Sequence, residues 1–115
     1  MRRLLALALL ALFVLPASAF AATKPVPVTL SGLLFNNKPN LKLTMKLGGS
    51  LRFAWKNGFH NVVTQKAPAG AKKVNSGAPT SSHKPIVFKP AKKGTYVFYC
   101  EPHRAFGMVL TLTVK

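Results

Sequence analysis

The sequence predicts an all-β fold, a Greek-key sandwich of seven or eight short strands. Three observations carry that prediction. Beyond Lys24, apolar residues recur at every second position, the period that places side chains on one face of a strand. Turn-forming residues interrupt these runs at short intervals. No stretch shows the helical spacing of an amphipathic helix. About seven strands in some ninety residues, with no internal repeat, make one sandwich domain and leave no room for a second.

Each element has its own signature. Val26, Val28 and Leu30 form the first strand, and Pro25 and Pro27 assign it to a sheet edge, because proline has no N–H to give a ladder. Asn36-Asn37-Lys38-Pro39-Asn40 turns the chain into a second alternation, Leu41, Leu43, Met45 and Leu47, with Met45 expected in the core. Gly48-Gly49 ends it. Leu51, Phe53 and Trp55 follow, closed by Asn57-Gly58, and another strand starts in Phe59-His60-Asn61-Val62-Val63. Gln65 to Lys84 shows no alternation and contains Lys66, Lys72, Lys73 and Lys84. It reads as a long basic surface loop with room for one short helical turn, and His83 within it reads as solvated. Ile86 and Phe88 come next, then Pro90 and Lys93-Gly94. Tyr96, Phe98 and Cys100 form the penultimate strand, and Met108, Leu110, Leu112 and Val114 the last.

The start of the chain is an address label. Arg2 and Arg3 precede an apolar run, Leu4 to Leu15, followed by Pro16-Ala17-Ser18-Ala19-Phe20-Ala21. A basic end, a short apolar stretch and small residues in A-x-A spacing make a cleavable secretory signal. Twelve apolar residues reach only about 18 Å as a helix, short of the ~30 Å hydrocarbon core of a bilayer. Cleavage fits after Ala19 or Ala21, and Ala21 avoids a mature chain beginning on Phe20. Residues 1–21 are thus expected to be a signal peptide and residues 22–115 the domain. Export, to the periplasm or otherwise outside the cytoplasm, follows, with no stable membrane insertion after cleavage.

Composition excludes several chemistries. The 115 residues contain 17 Lys and Arg against one acid, Glu101, for a net charge of +16. Loss of Arg2 and Arg3 with the leader removes two of those charges and leaves +14. One carboxylate cannot supply the acid–base pair of ordinary glycoside hydrolysis, nor the oxygen cages of calcium and magnesium sites. One cysteine excludes an internal disulfide and the multi-cysteine zinc patterns. A lone thiol in an exported chain is unusual enough to need a reason, although a buried inert cysteine is the bland one.

The reason lies in its neighbours. Tyr99-Cys100-Glu101-Pro102-His103-Arg104-Ala105-Phe106-Gly107-Met108 places cysteine, histidine and methionine in a C-x2-H-x4-M array between two strands. A connection between adjacent strands folds these side chains toward one point at the end of the sandwich, where His60 also starts a strand. Alone, each residue has an ordinary reading: core for Cys100 and Met108, a polar turn for His103 and His60. Together they are the donors of a type 1 copper centre, two imidazoles and a thiolate in a plane with a weak axial thioether. Zinc fits less well, since its sites rarely recruit thioether.

At these residues the chain resembles the cupredoxins, within them the small blue copper proteins of plastocyanin and pseudoazurin type, over nearly all of residues 22–115. Gly48-Gly49-Ser50-Leu51-Arg52-Phe53-Ala54-Trp55 is similar to the family's turn and strand before the first ligand. His60-Asn61-Val62-Val63 resembles the segment carrying that ligand, and Gly94-Thr95-Tyr96 through Cys100 the ligand-bearing strand. The x2 and x4 spacings separate this group from azurins and amicyanins. The resemblance implies a cupredoxin-like sandwich and one type 1 copper per chain, held by His60, Cys100, His103 and Met108. It also implies that Asn61 ties the two ligand segments together.

The function so implied is that of an exported, soluble, monomeric one-electron carrier rather than an enzyme, exchanging electrons with redox partner proteins through His103. Phe59, Pro102, Ala105 and Phe106 ring that histidine, and a longer route passes Tyr99. Phe106 is bulkier than the family's small residue there. The family's acidic patch near Tyr99 has no acids to build it, and Lys66, Lys72 and Lys73 are expected on that side, so the matching partner should present an acidic surface. Two alternatives stand beside this reading. One is copper storage or delivery, which usually uses exposed Met or His clusters that this chain lacks. The other is a polycationic exported domain that binds anionic surfaces. Nothing resembles a nucleic-acid-binding module.

Overall fold

The computed structural model describes residues 11–12 and 23–115. The expected leader therefore lies, apart from residues 11–12, outside the described residues. Eight strands form: β1 (Val26–Ser31), β2 (Leu34–Phe35), β3 (Leu41–Met45), β4 (Leu51–Asn57), β5 (Val63–Lys66), β6 (Ile86–Phe88), β7 (Gly94–Tyr99) and β8 (Val109–Val114). They make two four-stranded sheets, ordered β2-β1-β4-β6 and β3-β8-β7-β5. β1 runs parallel to β4 and β3 parallel to β8, while the remaining pairs are antiparallel. Among the described residues, no helix is long and apolar enough to cross a membrane.

The period-two alternation places the core where it should be. Val28, Leu30, Leu51, Phe53 and Phe88 of one sheet meet Leu41, Met45, Tyr96, Phe98, Leu110, Leu112 and Val114 of the other, all buried. Phe98 lies at the centre, edge-on to Phe53 at 5.4 Å and to Phe88 at 5.2 Å. Such edge contacts add about 0.5–1.5 kcal/mol per pair beyond area burial. Tyr96 is fully buried yet satisfied, because its hydroxyl donates to the Lys92 carbonyl at 2.8 Å. That bond fixes the entry of β7, the strand that delivers the cysteine.

Several expectations change in three dimensions. β1 is not an edge strand, since it lies between β2 and β4. β2, however, pairs only with Leu30 and Ser31, so the first part of β1 has an open side. Val26 N–H points to the β4 side, at Ser50 O, whereas Thr29 N–H points the other way, to Asn36 Oδ1. By that alternation the missing N–H groups of Pro25 and Pro27 fall on the open side, where they cost nothing. β3 stops at Met45, and Leu47 is 44% exposed, because the chain turns there with Gly49 N–H bonded to Lys46 O.

The segment after β5 is the largest correction. Gln65 and Lys66 belong to β5, and Val74 is buried in the core. Thr64 N–H donates to Val74 O, Ser76 N–H to Val62 O, and His60 exchanges both backbone bonds with Thr80. The stretch is thus an irregular rail along residues 60–64, with no helical turn. His83 is not simply solvated either: its ring stacks on Trp55 with centroids 4.5 Å apart.

Candidate metal centre

The C-x2-H-x4-M connection folds as a 3-10 helix, Glu101–Phe106, between β7 and β8. Pro102 in its first turn suits a position where an N–H would have no partner. Gly107 ends the helix in the left-handed region at φ 94°, and its N–H returns to the carbonyls of Arg104 and His103. A Cβ on Gly107 would stand 2.9 Å from Pro39 Cβ, so glycine is required there twice over. Met108 follows at once, fully buried, with its carbonyl bonded to Cys100 N–H and its own N–H to His103 O. The backbone therefore locks Cys100, His103 and Met108 into one small unit.

His60 reaches the same point from the connection between β4 and β5. Cys100 Sγ lies 3.7 Å from His60 Nδ1 and 3.6 Å from His103 Nδ1, and the two Nδ1 atoms are 3.2 Å apart. The point equidistant from these three atoms lies about 2.0 Å from each, the length of a metal–imidazole bond and about 0.3 Å short of a metal–thiolate bond. Such a triangle of two nitrogens and a sulfur is what a metal ion of mixed preference takes. Met108, fully buried, follows this loop directly, and the donor chemistry of the set fits copper.

Hydrogen bonding fixes which nitrogen is free. His60 Nε2–H donates to the Asn57 carbonyl at 2.5 Å, so the Nδ1 lone pair points to the triangle. Trp55 Nε1–H holds the His60 carbonyl at 3.0 Å. Gly58, at φ 91°, leaves room for the ring, since a Cβ there would come within 2.9 Å of His60 Nε2. Asn61 does tie the two ligand segments together: its Oδ1 accepts from Glu101 N–H at 2.8 Å, and its Nδ2 donates to Gly77 O at 3.0 Å. Burial pushes the Cys100 thiol up; the backbone N–H groups of Asn61 and His103 oppose this, and the Glu101 carboxylate adds to it. Burial, then the neighbouring His60, pushes the His103 imidazole down.

His60, Cys100 and Met108 are fully buried, while His103 is half-exposed. Around His103 the surface is apolar. Phe59 and Phe106 are 57% and 59% exposed, Pro102 and Ala105 are exposed, and Leu33, in the turn between β1 and β2, is 46% exposed. Arg104 lies over the Tyr99 ring at 4.4 Å, beside this patch. Sequence reasoning missed Leu33, the Asn57 carbonyl and the Trp55–His83 stack. Asn57-Gly58 reads along the chain only as a turn, and the carbonyl that selects a tautomer leaves no mark in side-chain identity.

Comparison with known proteins gives one coherent answer. Residues 28–115 match the model of the copper binding proteins of the plastocyanin/azurin family. The chain is 38% identical over 82 residues to a plastocyanin of Prochlorothrix hollandica, covering 64% of this chain and 59% of that protein. It thus spans less than two thirds of the length of that relative. A plastocyanin of Ulva prolifera is 36% identical over 83 residues, covering 67% of this chain and 84% of its own. Among solved structures, pseudoazurin of Methylobacterium extorquens AM1 superposes with a TM-score of 0.62 at 33% identity, over 79% of this chain and 75% of that one.

Proposed function

Because the chain belongs to the plastocyanin/azurin family of copper binding proteins, we propose that it is an exported, soluble one-electron carrier. In this reading residues 1–21 are its signal peptide, and His60, Cys100, His103 and Met108 hold one type 1 copper. The observation that carries the reading is the triangle of His60 Nδ1, Cys100 Sγ and His103 Nδ1, sized for one metal ion. Copper bound there supplies a Cu(II)/Cu(I) couple for single electrons.

The chain's own residues do the rest. Asn57, Trp55 and Asn61 hold the donors before any metal arrives, which keeps the site from rearranging when its charge changes. Burial of His60, Cys100 and Met108 excludes water, substrate and exchange partners. That burial also favours a carrier over a copper store or delivery protein. The half-exposed His103 edge, within its apolar ring, lets a partner approach closely. Lys66 pairs with Val97 in the ladder that also pairs Val63 with Tyr99, which puts positive charge on the Tyr99 flank. The preferred partner is therefore acidic, and the protein works as a monomer.

Copper stoichiometry with a visible spectrum and reversible reduction tests this. We expect one copper per chain and an intense band that survives repeated redox cycles. Cys100→Ser exchanges a soft donor for a hard one and should abolish the band while the sandwich stays folded by circular dichroism. Full colour in that variant would remove the copper assignment.

A further inference from the structure

The two ends of the sandwich differ in chemistry. β7 and β8 span it, and six residues at about 3.3 Å each set the ends about 20 Å apart. The metal end carries Glu101, the sole acidic side chain. At the other end the register places Gly94 and Met45 on either side of Val114, and Leu51 between Val26 and Phe88. The residues flanking those positions collect there: Lys24, Lys46, Lys89, Lys92, Lys93 and Lys115, all exposed. Three of them, Lys24, Lys46 and Lys89, line a hollow of about 810 Å³ with Thr23, Val26, Met45 and Leu47. Val26 and Leu47 remain 38% and 44% exposed at its rim.

We propose that this end docks reversibly on an anionic phospholipid bilayer, with headgroup phosphates among Lys24, Lys46 and Lys89 and with Val26 and Leu47 in the interfacial layer. A soluble polyanion rewards charge alone, whereas clustered lysines beside exposed aliphatic side chains suit a surface that is charged outside and apolar beneath. Lysines on flexible stems also suit phosphates at no fixed spacing better than the fixed carboxylates of one protein. The chain enters the fold at this end, through Thr23 and Lys24. The 20 Å between ends exceeds the Debye length of about 8 Å at physiological salt, so docking leaves the field at His103 nearly unchanged. The protein then presents His103 away from the bilayer while it diffuses along the surface. The proposal does not rest on the metal assignment, and the Cys100→Ser protein is expected to bind vesicles equally.

Sedimentation of the exported protein with phosphatidylglycerol/phosphatidylcholine vesicles, against phosphatidylcholine alone, tests it. Binding is expected only to the anionic vesicles, with loss at high salt. Lys46→Gln with Lys89→Gln should lower the partition coefficient roughly thirtyfold, since each lysine near an anionic surface contributes about fivefold. Lys38→Gln with Lys56→Gln removes the same charge elsewhere and should change it by less than about threefold under the same rule. Leu47→Gln, which leaves charge intact, should weaken it too. Equal losses in the two double variants, or binding to an acidic protein or to heparin but not to vesicles, would overturn the proposal. So would salt-resistant binding to neutral vesicles, which would assign membrane contact to the N-terminal apolar run.

Discussion

Replacing Asn61 by alanine cuts a side-chain bond that joins the His60 segment to the loop bearing Cys100 and His103. Asn61 is 1% exposed and makes two bonds, to Glu101 N–H at 2.8 Å and Gly77 O at 3.0 Å. Glu101 and Gly77 are both exposed residues, so water can reach each orphaned group in part. The cost is then nearer the net value of a hydrogen bond, about 0.5–1.5 kcal/mol each, than the full desolvation penalty. With the small cavity added, we expect a loss of about 1.5–3 kcal/mol, or a melting temperature lower by about 6–24 °C for a domain this size. Asn61 also holds the donors in place for a metal ion, so copper affinity should fall, and by linkage the loss should be larger in the copper-loaded protein than in the metal-free one by that difference. Thermal and urea unfolding of both forms measures this. A metal-free melting temperature within about 4 °C of the parent, under about 1 kcal/mol on that scale, would refute the tie. An equal loss in both forms would refute its role at the metal.

Three further outcomes follow from the same geometry. Met108→Gln replaces a buried weak thioether by a stronger amide donor, so the reduction potential should fall with colour partly retained; voltammetry showing an unchanged potential would remove Met108 from the site. Gly58→Ala strains a φ of 91° and drives a methyl to 2.9 Å from His60 Nε2, so it should cost at least 1–2 kcal/mol and loosen copper binding, measured by competition with a chelator. Copper uptake should release about one proton at neutral pH, because burial keeps the Cys100 thiol protonated while His103, pushed down, is already neutral. Affinity should therefore rise with pH, and a titration in weak buffer with no proton release would contradict this.

Local pattern settled much of this protein. The strands are legible because a two-layer sandwich buries every second residue, and Leu51-Phe53 and Tyr96-Phe98-Cys100 announce that period without reference to anything distant. Three of the four proposed ligands are legible for a related reason: Cys100, His103 and Met108 stand within nine residues, in a connection too short to separate them. Where the pattern failed, a distant partner decided. Val74 has no alternation around it and is buried because residues 60–64 pull its backbone alongside. His83 stacks on Trp55 from 28 positions away in the chain, and the lone pair of His60 is aimed by a backbone carbonyl that any residue could supply. The basic end is the clearest case. Lys24, Lys46, Lys89, Lys92, Lys93 and Lys115 are scattered along the sequence. They meet because β1, β3, β4, β6, β7 and β8 each begin or end at that side of the sandwich, so that turns far apart in the chain come to share one surface.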